Sequence, residues 1–192
     1  LSDDINKIKI TNNVYSKALI LFPDSIGEYF NSKIKYNFEY LQNVIAILEE
    51  LNIEIKGIKF RDSIYPKIYF NDLNYCYINK KKYKLFYGYS NFRELIEDVD
   101  ICIGGISTAI QESIMMNVDY YLFLPENIFK SDILHKSIGQ IMDYSDDYSK
   151  LKLKIMNKKI YKDGFSKKDL MNNHNYSAIE VMHKFVNLIE RL

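Results

Sequence analysis

The sequence is short of the residues that punctuate or brace a chain: seven glycines, three prolines, two cysteines and no tryptophan in 192 residues. So little glycine and proline excludes collagen-like and low-complexity classes. Two thiols, Cys76 and Cys102, are too few for a disulfide framework or a four-thiolate zinc site, and they point to a reducing, cytoplasmic setting. No apolar run approaches the roughly 18 residues that a membrane-spanning helix needs, so no transmembrane segment is expected, and no secretory leader is read at the start. A dominant charge is also missing. Twenty-six Lys and Arg against 25 Asp and Glu leave +1, so no global field draws the chain onto nucleic acid, and no nucleic-acid partner is expected. Two nucleotide signatures are absent as well: neither G-x-G-x-x-G nor G-x-x-x-x-G-K-[ST] stands at a strand-to-helix turn, which removes support for NAD binding and ATP hydrolysis. His135, His174 and His183 lack ligand spacing and read as surface or capping residues, so neither a metal nor another cofactor is expected.

What is present is the composition of a soluble domain with one sizeable core, 47% hydrophobic and 27% charged. Residue 1 is Leu, and Leu1 to Asn13 is polar and weakly patterned, so the chain reads as part of a longer one. Short apolar runs then alternate with amphipathic ones. Lys17–Phe22 reads as a strand, and Phe38–Leu51, with apolar residues three and four apart, as the clearest helix. Ile53–Phe60 alternates as a strand does. Pro66–Ile78 is expected as a short helix, Tyr83–Tyr87 as a strand, and Asn91–Glu97 as a helix capped by Ser90 or Asn91. Val99–Ile103 reads as a strand broken by Gly104 and Gly105. A helix capped by Ser107 or Thr108 and running to about Asn117 follows, then a strand at Tyr120–Leu124 stopped by Pro125. Helices near Asp132–Ser137, Asp147–Met156 and Ser177–Leu192, and an extended piece at Gln140–Met142, complete a single expected domain, residues 1–192.

Strands alternating with helices imply an α/β fold, a Rossmann-like doubly wound parallel sheet of about six strands with helices on both faces. Ligands of such sheets bind beyond the carboxyl ends of the strands, near the point where strand order reverses. The loop after Ile103, GGISTAIQES, has the chemistry for an anion. Gly104 and Gly105 allow close approach of a ligand to the backbone, and the helix opening at Ser107 or Thr108 offers unpaired N–H groups, a partial positive charge and two hydroxyls. Glu112, one turn deeper on the same face as Thr108, could take both hydroxyls of a ribose. The plainer alternative is a capped helix with an ordinary surface acid.

The stretch LIEDVDICIGGISTAIQESIMMNVDYYLFLP, Leu95 to Pro125, resembles the donor-binding segment of GT-B-fold glycosyltransferases, in which a strand meets a small-residue turn and a Ser/Thr-x-x-x-Glu helix. The likeness is to bacterial capsule and surface-polysaccharide transferases, where a strand ending in a basic pair precedes that segment; here IKGIKFRDSIYP, Ile55 to Pro66, would supply Lys59 and Arg61 as phosphate contacts. The resemblance implies the C-terminal half of a GT-B architecture, an inverting, metal-independent transferase using a UDP- or CMP/CDP-linked nucleotide sugar and a sugar or lipid-linked acceptor. It places the enzyme in the cytoplasm or at the inner face of the membrane. Its catalytic base would lie on a missing N-terminal domain, against which the helix at 177–192 could dock, so no catalytic residue is assigned here. Two departures stand out: no second acid lies near Gly105, against a retaining mechanism, and Asn117-Val118-Asp119-Tyr120 replaces the family's G-x-P turn. Two alternatives stay open, a CDP-polyol phosphotransferase of the same architecture and a non-catalytic nucleotide-binding or oligomerisation module.

Other features have plainer readings. Asp98-Val99-Asp100 is expected as a helix end and strand start rather than a metal motif, and Asp143 to Asp147 as the cap of the next helix rather than a calcium loop. Cys102 is expected as a small buried apolar residue and Cys76 as an unactivated thiol. Lys80, Lys81 and Lys82 read as a solvated turn, with an anionic-partner patch as the alternative. Tyr120 and Tyr121 are placed beside the cleft.

Overall fold

The computed structural model describes residues 15–22, 30–60, 74–87, 91–105, 107, 109–125, 142–164 and 166–168, with side chains in the first helix from residue 38. The first strand, β1 (Lys17–Leu21), is followed by α1 (Phe30–Glu50), β2 (Glu54–Lys59), the pair β3 (Tyr75–Ile78) and β4 (Lys81–Phe86), and α2 (Phe92–Ile96). Then come β5 (Ile101–Gly104), α3 (Ala109–Met115), β6 (Asp119–Leu122) and α4 (Tyr148–Asn157). The six strands form one sheet in the order β3-β4-β2-β1-β5-β6, parallel throughout except for β3.

The step from β1 to β2 moves one way across the sheet, and the steps from β4 to β5 to β6 move the other. Right-handed crossovers therefore lay α1 on one face and α2 and α3 on the opposite one. The contacts agree: α2 touches α3, and α4 returns to α1. Phe123, just past β6, joins that second pair, its ring stacked on Tyr40 of α1 at 5.1 Å and edge-on to Tyr148 of α4 at 5.0 Å. A parallel bridge from Phe123 to Ser145 extends the sheet beyond β6. The parallel strands thus follow the order of a Rossmann-like doubly wound sheet, with its reversal between β1 and β5.

Burial follows the sequence pattern. Ala18, Leu19, Ile20, Ile101, Cys102 and Ile103 are wholly buried, as central parallel strands covered on both faces must be. Leu41, Val44, Ile45 and Leu48 form the buried stripe of α1. α1 begins eight residues before the apolar periodicity does, at Phe30. Asp147 caps α4, its carboxylate accepting the Lys150 amide at 2.8 Å, as expected of that acidic run.

With glycine scarce, other residues take left-handed backbone. Asn52, Asn117 and Lys158 have φ of 55°, 62° and 52° at the ends of α1, α3 and α4. Each sits in a Schellman motif; in α3 the amide of Asn117 reaches the carbonyl of Ile114 at 3.1 Å and that of Val118 reaches Ser113 at 2.8 Å. Asn79 and Lys80, with φ of 51° and 66°, form the two-residue turn between β3 and β4, the positive-φ pair that a tight hairpin requires.

One expected element is corrected. Tyr75–Ile78 was expected at the end of a helix and is strand β3, hairpin partner of β4. Its inner residues Cys76 and Ile78 alternate with Tyr75 and Tyr77, a period of two that half-buried strands show. Residues 66–73 of that expected helix, the helices expected at 132–137 and 177–192, and the extended piece up to 141 lie outside the described residues.

Candidate functional site

The strand register places the expected site residues. Ile20 pairs with Ile103 and Leu21 with Lys59, and Gly104 pairs with Leu122 on β6. Lys59, Leu21 and Gly104 therefore stand in one row across β2, β1 and β5, at the carboxyl end of the sheet. Two interstrand spacings separate Lys59 from Gly104, roughly 10 Å between backbones. The row straddles the reversal of strand order, the place where doubly wound sheets form a ligand crevice because adjacent connections run to opposite faces. The turn Gly104, Gly105, Ser107 and the start of α3 sit over it. Arg61 and Thr108 lie outside the described residues.

The turn is held from beneath. Tyr120, fully buried on β6, donates its phenol hydrogen to the carbonyl of Gly105 at 2.6 Å. Burial pushes that phenol far above the ordinary tyrosine range, with the hydroxyl of Ser107 acting in the opposite direction. A Cβ at Gly104 would come within 2.6 Å of the Tyr120 oxygen and 2.7 Å of the Leu21 Cβ. Gly104 is thus demanded by packing inside the protein, a reason other than the ligand approach expected for it. Tyr121 is buried too, its hydroxyl 3.0 Å from that of Tyr15. Both tyrosines are buried, and Tyr120 lies directly under the turn.

Ser107 does not cap α3 with its side chain. Its carbonyl accepts the Ile110 amide at 3.2 Å, and its hydroxyl is buried beside the Tyr120 phenol. Glu112 is half-buried on α3, flanked by Ser113, whose side chain faces the sheet. Ile110 and Ile114 anchor the helix, and Met115 and Met116 are exposed.

Lys59 is half-buried, and its ammonium donates to the carbonyl of Phe60 at 2.6 Å. Burial lowers its pKa from the usual lysine value, because desolvation disfavours the charged form. An arriving anion would favour the charged form.

The opposite end of the sheet carries a separate set of polar contacts. Asp100 accepts the amide of Ser16 at 2.6 Å, its hydroxyl at 2.7 Å and the amide of Lys17 at 2.9 Å. Asp98 pairs with Lys56 and with Lys17, the latter at 2.9 Å, and the lysines, Lys56 foremost, hold its carboxyl down to about 2. Asp98 and Asp100 are therefore tied up as a helix end and strand start, away from the crevice, and among the described residues no cluster of His, Cys, Asp and Glu could hold a metal. Burial pushes the thiols of Cys76 and Cys102 up to about 12, so neither is a nucleophile at neutral pH.

Sequence reasoning placed Tyr120 near the cleft but missed its role in fixing the turn; its only signal was an aromatic at a buried strand position, which Tyr121 and Phe123 share. His135, His174 and His183 lie outside the described residues. Comparison with protein-family models, with curated proteins and with solved structures found no match to this chain.

Proposed function

We propose that the crevice between the carboxyl ends of β1 and β5 binds the diphosphate of a nucleotide, and that the chain is the donor-binding half of an inverting glycosyltransferase acting on a nucleotide sugar in surface-polysaccharide assembly. The observation that carries the nucleotide reading is the position of the Gly104–Ser107 turn: it sits at the reversal of strand order and shares a row with Lys59. The transferase reading adds to this the resemblance of Leu95–Pro125 to GT-B donor segments.

Diphosphate oxygens would meet the amides that open α3 and the ammonium of Lys59, which would exchange the Phe60 carbonyl for a charged partner. Glu112 would accept both ribose hydroxyls. Attack by an acceptor hydroxyl on the anomeric carbon breaks its bond to the diphosphate, and the positive groups here would stabilise the charge that the leaving diphosphate gains. The base that takes the acceptor's proton is not assigned to this chain.

The test is thermal unfolding against UDP, CDP, CMP, GDP and ADP, repeated on Glu112→Ala. A nucleotide at about a hundred times its dissociation constant adds about 2.7 kcal/mol, or roughly 5–10 °C for a chain this long. A shift with one nucleotide that is lost in Glu112→Ala supports the reading; a shift that Glu112→Ala leaves intact removes the ribose role. No shift with any nucleotide counts against the site.

A further inference from the structure

The charge balance of the whole chain conceals a local excess. From Leu73 to Arg93 there are five basic residues and no acid. The β3–β4 hairpin arranges four residues of this segment on one face. Tyr75 pairs directly with Lys84, and Tyr77 with Lys82, and directly opposed residues of an antiparallel pair share a face. Alternation sends Cys76, Ile78, Tyr83 and Leu85 inward, where all four are buried. On that inner side Lys81 and Tyr83 both donate to Glu49 of α1.

The outer face has no such neutralisation. Lys82 and Lys84 are exposed and make no ion pair among the described residues. They lie against aromatic rings instead: the ammonium of Lys82 is 3.7 Å from the centre of the Tyr75 ring, and that of Lys84 is 5.0 Å from that of Phe86. Phe86 in turn lies over Gly57, where a Cβ would meet its ring at 2.6 Å. Tyr77 is 60% exposed, the most open large hydrophobic residue among those described. Lys80, exposed in the turn, extends the cationic edge.

We propose that this face docks on an anionic lipid surface, with Tyr77 entering the headgroup layer and Lys80, Lys82 and Lys84 meeting lipid phosphates. The pairing suits an interface: a phenol is amphipathic, and lysine stems lie along apolar surface while their ammonium groups reach charge. A single-stranded nucleic acid is served less well. It needs a groove that tracks its backbone and bare rings for its bases, whereas this face is the open side of a hairpin and Lys82 caps the ring of Tyr75. This inference does not depend on the nucleotide reading above.

The absence of tryptophan provides the probe. In Tyr77→Trp, emission should shift to the blue on addition of vesicles containing about one-third phosphatidylglycerol, and should not move with phosphatidylcholine vesicles. Each lysine near such a surface is worth roughly fivefold in partitioning. Lys82→Ala/Lys84→Ala should therefore cosediment with the anionic vesicles about thirtyfold more weakly, at an unchanged melting temperature, while Lys82→Arg/Lys84→Arg retains binding. Equal binding to both vesicle types, indifference to the double alanine change, or tighter binding of a deoxythymidine oligomer than of vesicles through the same residues would each overturn the proposal.

Discussion

Gly104→Ala in combination with Tyr120→Phe separates a glycine required by packing from one required by a ligand. Adding a methyl group at residue 104 brings it to 2.6 Å from the Tyr120 oxygen and 2.7 Å from the Leu21 Cβ, so strand or ring must move. Overpacking of this severity costs about 1–3 kcal/mol, and a drop of about 2 kcal/mol lowers the melting temperature by roughly 4–8 °C in a domain this size. Tyr120→Phe alone removes the 2.6 Å bond to the Gly105 carbonyl and should cost about 1 kcal/mol. The same change deletes the oxygen that the methyl group strikes, leaving only the Leu21 contact. The double variant should therefore lose about 1 kcal/mol less than the sum of the single losses, a coupling measurable by urea unfolding of all four proteins. Strict additivity would refute the reasoning, because it would mean that the phenol and the new methyl group never meet. A Gly104→Ala protein as stable as the parent would also refute it, and would return Gly104 to the role of admitting a ligand.

Lys158→Gly should stabilise the protein by about 0.5–1 kcal/mol, since a left-handed L-residue at φ 52° costs 1–2 kcal/mol, partly offset by the freer unfolded chain and by the lost approach of its ammonium to the Tyr15 ring; a lower urea midpoint would contradict this. Asp100→Asn should remove a pH dependence. Burial works to raise the Asp100 carboxyl, but its hydrogen bonds from Ser16 and Lys17 outweigh that and hold it below the usual range. A depressed folded-state pKa contributes stability above the unfolded value of about 3.9, and that contribution is lost as pH falls through the folded value. The parent's advantage over Asp100→Asn, followed by thermal melting, should thus be full at pH 6 and shrink below pH 4; a constant gap would disprove the assignment.

The elements legible in sequence were those whose burial is one-sided or complete. α1 announced itself by apolar residues three and four apart, and β1 and β5 by unbroken apolar runs. The β3–β4 hairpin was not legible, because its turn is Asn79-Lys80 rather than Asn-Gly and a lysine carries no left-handed signal. The loop after β5 was found from its small residues and helix start, and the sheet does bring it beside Lys59. Its internal support was hidden, because the bond from Tyr120 to Gly105 depends on a strand register that no local pattern encodes. The sequence left Ser107 and Thr108 as alternative caps for a related reason: where α3 begins decides which hydroxyl can cap it, and helix boundaries are the least local feature of a helix.

β1 lies at the centre of the sheet, yet it is the first of the described strands to be made. Its partner on one side, β2, is finished by Lys59, while its partner on the other, β5, begins only at Ile101. At synthesis rates of 5–20 residues per second, roughly two to eight seconds pass between those events. During that time the edge of Ala18–Leu21 that β5 will cover has not met its native partner. A strand from a neighbouring copy, or β4 of the same chain, competes with the native partner in that interval. The bonds from Ser16 and Lys17 to Asp100 form only when β5 takes its place, because that carboxylate stands at the entrance of β5. The acid at the far end of the sheet thus adds its hydrogen bonds only to the pairing that also lines up Leu21 and Gly104 at the carboxyl end.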